Sequence, residues 1–292
     1  MSQPPTLRIA CVQLDIVTQD VEANLARHFE FIERARAQGV KVLLFPELSL
    51  TGCYRQSRHA LGMGYESEVL ARLAGAAAEM FVVVGFIEEG FAAQQFDSAV
   101  VLHDGKIVHL HRKLNLVTYG DMDEGKYFAT GRRLDTFEIG DGFRAAVLIC
   151  SDLWNPGLVH LAALQGATLL LVPTNSSIDA VGSDDGKSGR WDLFLRHYST
   201  IYGMPIAFVN RIGADDDLTF WGGSRVLDAF GNIVTRAESD EECLLVADLS
   251  YEDVSRARFE LPTVRDSNLG LIQREIDRLA HRLGVPEKFR DL

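Results

Sequence analysis

Apolar residues recur along this chain in two patterns that alternate from end to end. Short continuous apolar runs, typical of buried strands, are separated by longer segments in which apolar residues return about every three or four positions, as on one face of a helix. Residues 21–38 show the second pattern, with Leu25, Phe29, Ile32 and Ala35 on one face. The alternation predicts an α/β architecture.

The same patterns predict the individual elements. We predict strands at 7–14, 41–45, 81–87, 98–102, 106–111, 145–149, 168–172, 205–210, 223–227 and 243–248, and helices at 21–38, 66–78, 158–165, 192–202 and 269–283. Asp104 and Gly105 predict a hairpin turn, and Gly166 predicts the end of the helix before it. Because the strand-helix-strand plan recurs, we expect two sheets that pack together. No segment rich in Pro or Ser divides the chain, so we expect a single domain over 1–292, with 261–292 as a tail that could cross to a partner subunit.

Composition narrows the class of protein. The 292 residues are 47% hydrophobic and 24% charged, which is ordinary for a globular protein and argues against disorder. The net charge is −12 and the basic residues are scattered, so we expect no nucleic-acid partner. The N-terminus lacks the pattern of a signal peptide, and no apolar segment approaches the ~20 residues that span a bilayer. We therefore expect a cytoplasmic protein without membrane contact.

Neither the cysteines nor the histidines form a metal motif. Four cysteines are far apart and form no CxxC pair: Cys11, Cys53, Cys150 and Cys243. We expect reduced thiols, and small buried side chains at the two that lie within strands, Cys11 and Cys243. His109 and His111 share a strand face without further ligands, and the glycine-rich segment 182–188 lacks the spacing of a phosphate-binding loop. We predict no metal and no cofactor.

Three reactive side chains follow predicted strands. Cys150 comes directly after an apolar run, Glu47 follows the strand at 41–45, and Lys113 follows the strand at 106–111. A thiol becomes a strong nucleophile once it is deprotonated, a carboxylate can take its proton, and an ammonium can stabilise an oxyanion. Together these groups are the equipment of acyl transfer.

The residues around these three positions resemble the three signatures of the nitrilase superfamily of carbon-nitrogen hydrolases, in that family's order. The matching segments are FPELSLTG at 45–52, HRK at 111–113 with YG at 119–120, and ICSD at 149–152. Downstream landmarks of the family are also similar: VNRIG at 209–213, FWGGS at 220–224 and DAFG at 228–231. The resemblance covers nearly the whole chain.

The resemblance implies a four-layer α-β-β-α sandwich and a role for each residue. It implies that Glu47 is the general base, that Lys113 steadies the tetrahedral intermediate, and that Cys150 forms a thioester acyl-enzyme. It also implies an oxyanion donor in the backbone N–H of Ser151. Glu124 matches the second carboxylate that family members place shortly after the lysine, where it orients lysine and substrate.

The residues after the nucleophile favour an amide substrate. Nitrilases of this superfamily typically follow the cysteine with Trp-Glu, whereas Cys150 is followed by Ser151 and Asp152, as in the amidase branches. Other segments resemble the glutaminase domain of NAD synthetases: Asp152-Leu153-Trp154, Gly186-Lys187 followed by Arg190, and residues 217–220 before Gly222. We expect no synthetase domain after residue 260, in which case transferred ammonia would need a separate protein.

Several alternatives stay open at this point. The substrate could be an amide, an N-carbamoyl compound or glutamine, with a nitrile less favoured. A Cys-His pair using His111 or His160 is a mechanistic rival, although it leaves Glu47 and Lys113 unexplained. A catalytically dead binding scaffold is the rival from another class.

We expect a homodimer or higher homo-oligomer, as is common in the family. Five neighbours of strand ends are candidates to line the substrate pocket, in addition to Ser151: Tyr54, Tyr119, Trp154, Asn175 and Ser176.

Overall fold

Two six-stranded sheets form the centre of the molecule. The structure is a computed structural model that describes residues 5–52, 61–119, 122–178, 187–215, 218–238 and 240–284. The first sheet contains, in spatial order, β14 (Cys243–Ser250), β1 (Thr6–Gln13), β2 (Val42–Leu44), β3 (Phe81–Glu89), β4 (Gln95–His103) and β5 (Lys106–Arg112). The second contains β13 (Ile233–Arg236), β12 (Arg225–Leu227), β9 (Ile206–Asn210), β8 (Leu169–Thr174), β7 (Phe143–Val147) and β6 (Thr136–Gly140). A separate hairpin joins β10 (Ile212–Asp215) to β11 (Leu218–Trp221).

Helices cover the outer faces of both sheets. They are α1 (Val21–Ala37), α2 (Glu68–Ala77), α3 (Pro156–Leu164), α4 (Lys187–Tyr202) and α5 (Tyr251–Glu260). A sixth helix, α6 (Leu269–Arg282), follows them in the chain and has no buried residue. Apolar residues of α1 and α2 pack on one face of the first sheet. The opposite face of that sheet shares a core with the second sheet, and α3 and α4 pack in the same core. The predicted α-β-β-α sandwich is confirmed.

Local sequence explains where several elements begin and end. Asp20 caps α1 by accepting a hydrogen bond from the backbone N–H of Ala23 at 2.9 Å. The hairpin between β4 and β5 turns at Asp104 and Gly105, whose φ angles are 49° and 71°, as a tight turn of the predicted kind requires. Gly166, with a φ of 87°, follows the end of α3, as predicted.

Strand directions bring three segments to one edge of the first sheet. β1, β2 and β3 are parallel, β4 is antiparallel to β3, and β5 is antiparallel to β4. The ends of β2 and β5 and the beginning of β4 therefore lie at the same edge. In the second sheet β7, β8 and β9 are parallel, and the chain leaves β7 toward Cys150. This arrangement positions the site described below.

The prediction from sequence missed several elements that bury few apolar residues. These are β6, β10, β11, β13 and α5, and α5 buries only Val254 and Ala257. The predicted helix at 192–202 begins earlier, at Lys187, and the predicted strand at 145–149 ends at Val147. Cys11 and Cys243 lie in β1 and β14 with free thiols; Cys11 is buried, as expected, but Cys243 is only half-buried because β14 is the edge strand of its sheet. Across the described ranges, no helix combines the length and the apolar character that crossing a bilayer requires.

Candidate active site

Glu47 lies on a sharp corner that follows β2. The next residue, Leu48, has a φ of 52°, and the N–H of Leu50 donates to the carbonyl of Gly85 on β3 at 3.0 Å. A Cβ atom at Gly85 would lie 2.4 Å from the nitrogen of Leu48 and 2.6 Å from the oxygen of Pro46. Only glycine at this position lets the corner approach the strand so closely. The corner points the Glu47 carboxylate, 2% exposed, toward the interior of the sandwich.

Lys113 directly follows β5, and hydrogen bonds to both its backbone N–H and its backbone carbonyl fix its position. Its N–H donates to the carbonyl of Asp97 at 2.9 Å, and its carbonyl accepts from the N–H of Gly131 at 2.8 Å. A Cβ at Gly131 would lie 2.2 Å from the oxygen of Arg112, so this contact also requires glycine. The side chain of Lys113 is fully buried.

Cys150 lies in a strained turn beyond β7. Its φ is 45°, in the left-handed region that L-residues with a Cβ rarely adopt, and such strain is typical of functional sites. The turn begins the short 3₁₀ helix Cys150–Trp154. The N–H of Leu148 donates to the carbonyl of Leu171 and keeps this segment beside β8. The backbone N–H of Asn175, just after β8, donates to the Cys150 sulfur.

Three carboxyl groups surround the Lys113 ammonium. Nζ lies 2.6 Å from Oε1 of Glu47, 2.8 Å from Oε1 of Glu124 and 3.3 Å from Oδ2 of Asp97. One oxygen from each carboxyl lies within 4.8 Å of the others, which is close enough to hold a metal ion, but here the chain's own ammonium contacts all three. We call Glu47, Asp97, Lys113 and Glu124 the carboxylate cluster.

The cluster controls the charge of the groups around it. Burial opposes the ammonium of Lys113, but Glu124, Glu47 and Asp97 outweigh burial and hold its pKa well above the usual value. Burial, and then the charge of Glu47, raise the pKa of the Cys150 thiol well above its usual value despite Lys113. Lys113 is therefore an ammonium at neutral pH, and Cys150 is a thiol until a base takes its proton.

A second buried carboxylate joins the Lys113 segment to the Cys150 turn. Asp152 accepts hydrogen bonds from the N–H groups of Leu114 (2.8 Å), Asn115 (2.7 Å) and Ile149 (3.0 Å). Nε2 of His111 lies 2.9 Å from its Oδ2, and since an ionised carboxylate only accepts, the ring carries a proton on this nitrogen. We call Asp152 with these four donors the Asp152 bracket.

The bracket argues against a Cys-His pair. His111 is engaged with Asp152, and His160 on α3 packs against the ring of Tyr202 at 5.7 Å. Neither histidine lines the cavity above Cys150. Glu47 and Lys113, which that rival left unexplained, are in contact with each other instead.

A cavity of about 330 Å³ opens above Cys150. Its lining residues lie in the segments that follow β5, β7 and β8 and at the beginning of α4: Val117, Tyr119, Met122, Glu124, Cys150, Ser151, Trp154, Asn175, Ser176, Ser177, Arg190 and Trp191. The lining is mostly apolar, with Cys150 and Glu124 at one side. This size and composition suit a small organic molecule with one polar reacting group.

Five of the six predicted pocket residues line this cavity: Tyr119, Ser151, Trp154, Asn175 and Ser176. Tyr54, the sixth, lies outside the described residues. Trp154 stacks at an angle on Trp191, with ring centroids 4.8 Å apart. The hydroxyl oxygen of Ser176 accepts from the indole N–H groups of Trp191 and Trp221, both at 3.2 Å. Ser176 therefore also holds the Trp191 ring in place in the cavity wall.

Sequence reasoning missed Asp97 and several lining residues. The predicted strand began at 98, one residue after Asp97, so the inward-facing charge went unnoticed. Its signal was available, because residues 97, 99 and 101 share one face of an alternating strand. Val117, Met122, Ser177 and Trp191 are ordinary apolar or small residues and carry no such signal.

A family model described as carbon-nitrogen hydrolase matches residues 8–259. Among curated proteins, the glutamine-dependent NAD(+) synthetase of Thermotoga maritima is 31% identical over 264 residues. The match covers 89% of this chain and 45% of that protein, so the chain spans about half the length of this relative.

Two solved structures are similar along most of their own length. A mutant of an amidase from Nesterenkonia sp. AN1 in complex with butyramide is 26% identical, with a TM-score of 0.74, covering 87% of this chain and 95% of that one. A carbon-nitrogen hydrolase from Helicobacter pylori G27 has a TM-score of 0.81 at 22% identity, covering 91% of this chain and 96% of that one. The second likeness concerns the fold alone.

Proposed function

This chain belongs to the carbon-nitrogen hydrolase family, and we propose that it hydrolyses the carbon-nitrogen bond of a small amide through a thioester on Cys150, releasing ammonia. One observation carries the proposal: the Cys150 thiol lies at a small, mostly apolar cavity beside a buried ammonium that three carboxyl groups surround. This arrangement supplies a nucleophile, a base and a cation that can stabilise an oxyanion.

In the first half of the reaction, the thiol attacks the amide carbonyl. Glu47 takes the proton from Cys150 as the sulfur forms a bond to the carbonyl carbon. The oxyanion that develops is stabilised by the Lys113 ammonium and the backbone N–H of Ser151. Glu47 then returns the proton to the nitrogen, the carbon-nitrogen bond breaks, and ammonia leaves a thioester behind.

Water completes the cycle. Glu47 takes a proton from a water molecule whose oxygen attacks the thioester carbon, and the carbon-sulfur bond breaks as the sulfur recovers a proton. Glu124 binds Nζ of Lys113 at 2.8 Å and accepts from the N–H of Val117 at 2.8 Å, so it holds the ammonium in position. The overall products are a carboxylic acid and ammonia.

Arg190 favours amides that also carry a carboxylate. It is the one cationic side chain among the described residues that line the cavity, on an otherwise mostly apolar wall. Glutamine and the monoamides of dicarboxylic acids present such a carboxylate, and the similarity to a glutamine-dependent synthetase favours glutamine among them. N-carbamoyl amino acids also combine a carboxylate with a cleavable carbonyl-nitrogen bond, so they are the second candidate class.

The test is ammonia release by the purified protein across glutamine, dicarboxylic monoamides, neutral aliphatic amides, N-carbamoyl amino acids and nitriles. We expect turnover of the carboxylate-bearing amides and none in Cys150→Ala, because the reaction has a single nucleophile. Residual turnover above a few per cent in that variant would contradict the mechanism. Silence of the wild type on every compound would favour a glutaminase that needs a partner, or a scaffold without activity.

Arg190→Gln tests the substrate class. We expect KM for carboxylate-bearing amides to rise by about tenfold, the usual scale for one charge-assisted hydrogen bond at a partly exposed site, while KM for neutral amides stays the same. Arg274→Gln on the exposed helix α6 is the matched control. An equal rise in KM for neutral and carboxylate-bearing amides would contradict the proposed contact between Arg190 and the substrate carboxylate.

We also propose that the protein forms a homodimer or larger homo-oligomer through its C-terminal region, and that 261–292 is a tail of one domain. The helix α6 has no buried residue, and its exposed apolar side chains include Leu269, Leu271, Ile276 and Leu279. Such a stripe is normally covered in a stable assembly. Light scattering should give at least twice the mass of the chain, and Ile276→Asp should reduce it; a monomeric wild type would refute the proposal.

A further inference from the structure

Asp97 is a buried acid that the proposed reaction does not use. It lies on β4 on the face that points into the sandwich, where its residue is 1% exposed. Among the described residues, the cation that contacts it is Nζ of Lys113 at 3.3 Å, which is farther than Glu47 and Glu124 lie from the same nitrogen. Among the described residues, no donor forms a hydrogen bond with either of its oxygens.

The charges of the cluster do not balance if every acid is ionised. Three carboxylates would face one ammonium, and all four residues are at most 5% exposed. A buried net charge without hydrogen bonds is costly, and an acid in that position takes up a proton instead. At least one proton is therefore expected within the cluster.

Hydrogen bonding indicates which acid holds that proton. Burial raises the pKa of Glu124 above its usual value, but Glu124 accepts from both Lys113 and the N–H of Val117, and these two donors oppose that effect. Oε2 of Glu47 has no donor among the described residues, just as both oxygens of Asp97 have none. A proton on Asp97 would serve both residues, because it supplies the donor that Glu47 lacks.

We propose that Asp97 is a positioning residue that stays protonated at neutral pH and donates a hydrogen bond to Oε2 of Glu47. The bond holds the Glu47 carboxylate with Oε1 on Lys113, in the orientation that the cluster shows. It also keeps a second uncompensated negative charge away from Cys150, whose ionisation that charge would oppose. Asp97 keeps its proton throughout the reaction and exchanges none with substrate.

The surroundings of Asp97 agree with this assignment. Burial first, and then the charge of Glu47, raise the pKa of Asp97 well above its usual value, although Lys113 acts in the opposite direction. The titratable groups that face it are Glu47 after β2, Lys113 after β5, Glu124, and Cys150 beyond them. Glu88 and Arg112 pair with each other on the opposite face of the sheet, where Ser98 donates to Glu88.

Two substitutions of Asp97 test whether the residue acts by donating a hydrogen bond to Glu47. Asp97→Asn has the shape of the protonated acid and can donate to Glu47, whereas Asp97→Ala cannot. In the kinetic arm, which rests on the proposed function, we expect Asp97→Asn to keep kcat within about threefold of the wild type. We expect Asp97→Ala to lose about tenfold or more in kcat with little change in KM, since a hydrogen bond to a charged group is removed.

An infrared arm needs no substrate. The wild type at neutral pH should show the carbonyl stretch of a protonated carboxyl group, and Asp97→Asn should lose it, while Glu124→Gln should keep it. If wild-type turnover is absent on every amide but the band behaves as expected, the proposed function fails and this assignment stands. Loss of the band in Glu124→Gln instead, its absence from the wild type, or an Asp97→Asn variant as slow as Asp97→Ala would overturn the assignment.

Discussion

Two buried aspartates lie on either side of the lysine segment, and their surroundings differ in one respect. Asp152 is fully buried and accepts from three backbone N–H groups and the ring of His111. Asp97 is equally buried, but within the described part of the chain it has no hydrogen-bond donor and only the Lys113 contact at 3.3 Å. The two side chains are chemically identical, so the donors around them decide what each can do.

The difference teaches how this site divides its work. Four donors bind the carboxyl group of Asp152, which joins the Lys113 segment to the Cys150 turn. Because Asp97 has no donors among the described residues, it is better suited to hold a proton. It affects the charge of the carboxylate cluster and does not link two segments of the chain. A carboxylate with many donors is a structural link, and one without them controls the charge of its neighbours.

The largest expected effect comes from removing the ammonium that the carboxylate cluster shares. Lys113→Met should lower kcat/KM by about 100- to 1000-fold, because the oxyanion loses a donor. It should also lower the free energy of unfolding by about 3–5 kcal/mol, since the acids lose their buried partner. Ammonia release and urea denaturation measure the two effects.

The stability loss in Lys113→Met should depend on pH. Without the ammonium, the pKa values of the buried acids rise further above those of the unfolded chain, so the folded state binds more protons than the unfolded state. Stability then falls as pH rises through this range, and the deficit relative to the wild type should be smaller at pH 5 than at pH 8. A deficit that is constant with pH would mean that the acids are not the source of the loss.

The same substitution at the two aspartates tests the comparison directly. Asp152→Asn replaces an acceptor by an amide group that faces donors, so we expect it to lower the free energy of unfolding by about 2–3 kcal/mol and to reduce activity. Asp97→Asn replaces a protonated acid by its neutral equivalent, and we expect a change below about 1 kcal/mol. Urea denaturation of both variants at neutral pH is the measurement.

Equal losses in these two variants would contradict the distinction between a structural and a charge-setting aspartate. Asp152→Glu serves as a further control, because it keeps the charge but shifts the oxygens. It should retain a folded protein with reduced activity, since the bracket fixes the distance between the Lys113 segment and the Cys150 turn.

The sequence predicts the site residues that leave a local pattern along the chain, and it does not predict those whose role depends on contacts between distant segments. Glu47, Lys113 and Cys150 each follow a strand, so a pattern along the chain identifies them before any contact is known. The alternation of β4 could have placed Asp97 on the inward face, but its contact with the Lys113 side chain forms only after β4 and β5 pair. The four donors of Asp152 likewise come from two segments that only the fold brings together.

The fold shows the same limit. The strands and helices with a continuous apolar face were predicted because burial leaves a periodic pattern, as in α1 and β8. The edge strand β13 alternates between half-buried and exposed residues, and α5 is a highly charged helix that buries two residues, Val254 and Ala257. Their stability comes from pairing and packing with distant segments, which local periodicity does not record.

The smallest expected effect extends the comparison to a buried histidine that, like Asp152, has both polar atoms engaged. Nδ1 of His28 donates to the carbonyl of Asn24 at 2.7 Å, and Nε2 lies 3.0 Å from the hydroxyl of Ser49, near the Glu47 corner. Burial lowers the pKa of His28 to about 4, against 6.5 for a free ring, despite the bond to Asn24. Between these two pH values the unfolded chain binds a proton that the folded protein does not.

Stability should therefore fall as the pH drops from 6.5 toward 4, and His28 should account for a loss that reaches about 3 kcal/mol at the lower limit. At pH 5 only part of that loss is present, about 2 kcal/mol.

His28→Gln keeps a neutral polar group and should flatten the dependence of the unfolding free energy on pH, as measured by urea denaturation between pH 7 and 5. Some slope should persist, because burial also lowers the pKa of His109 to about 4. The exposed His197→Gln is the control and should leave the slope unchanged. An unaltered slope in His28→Gln would show that burial does not keep this ring neutral in the folded protein between pH 6.5 and 5.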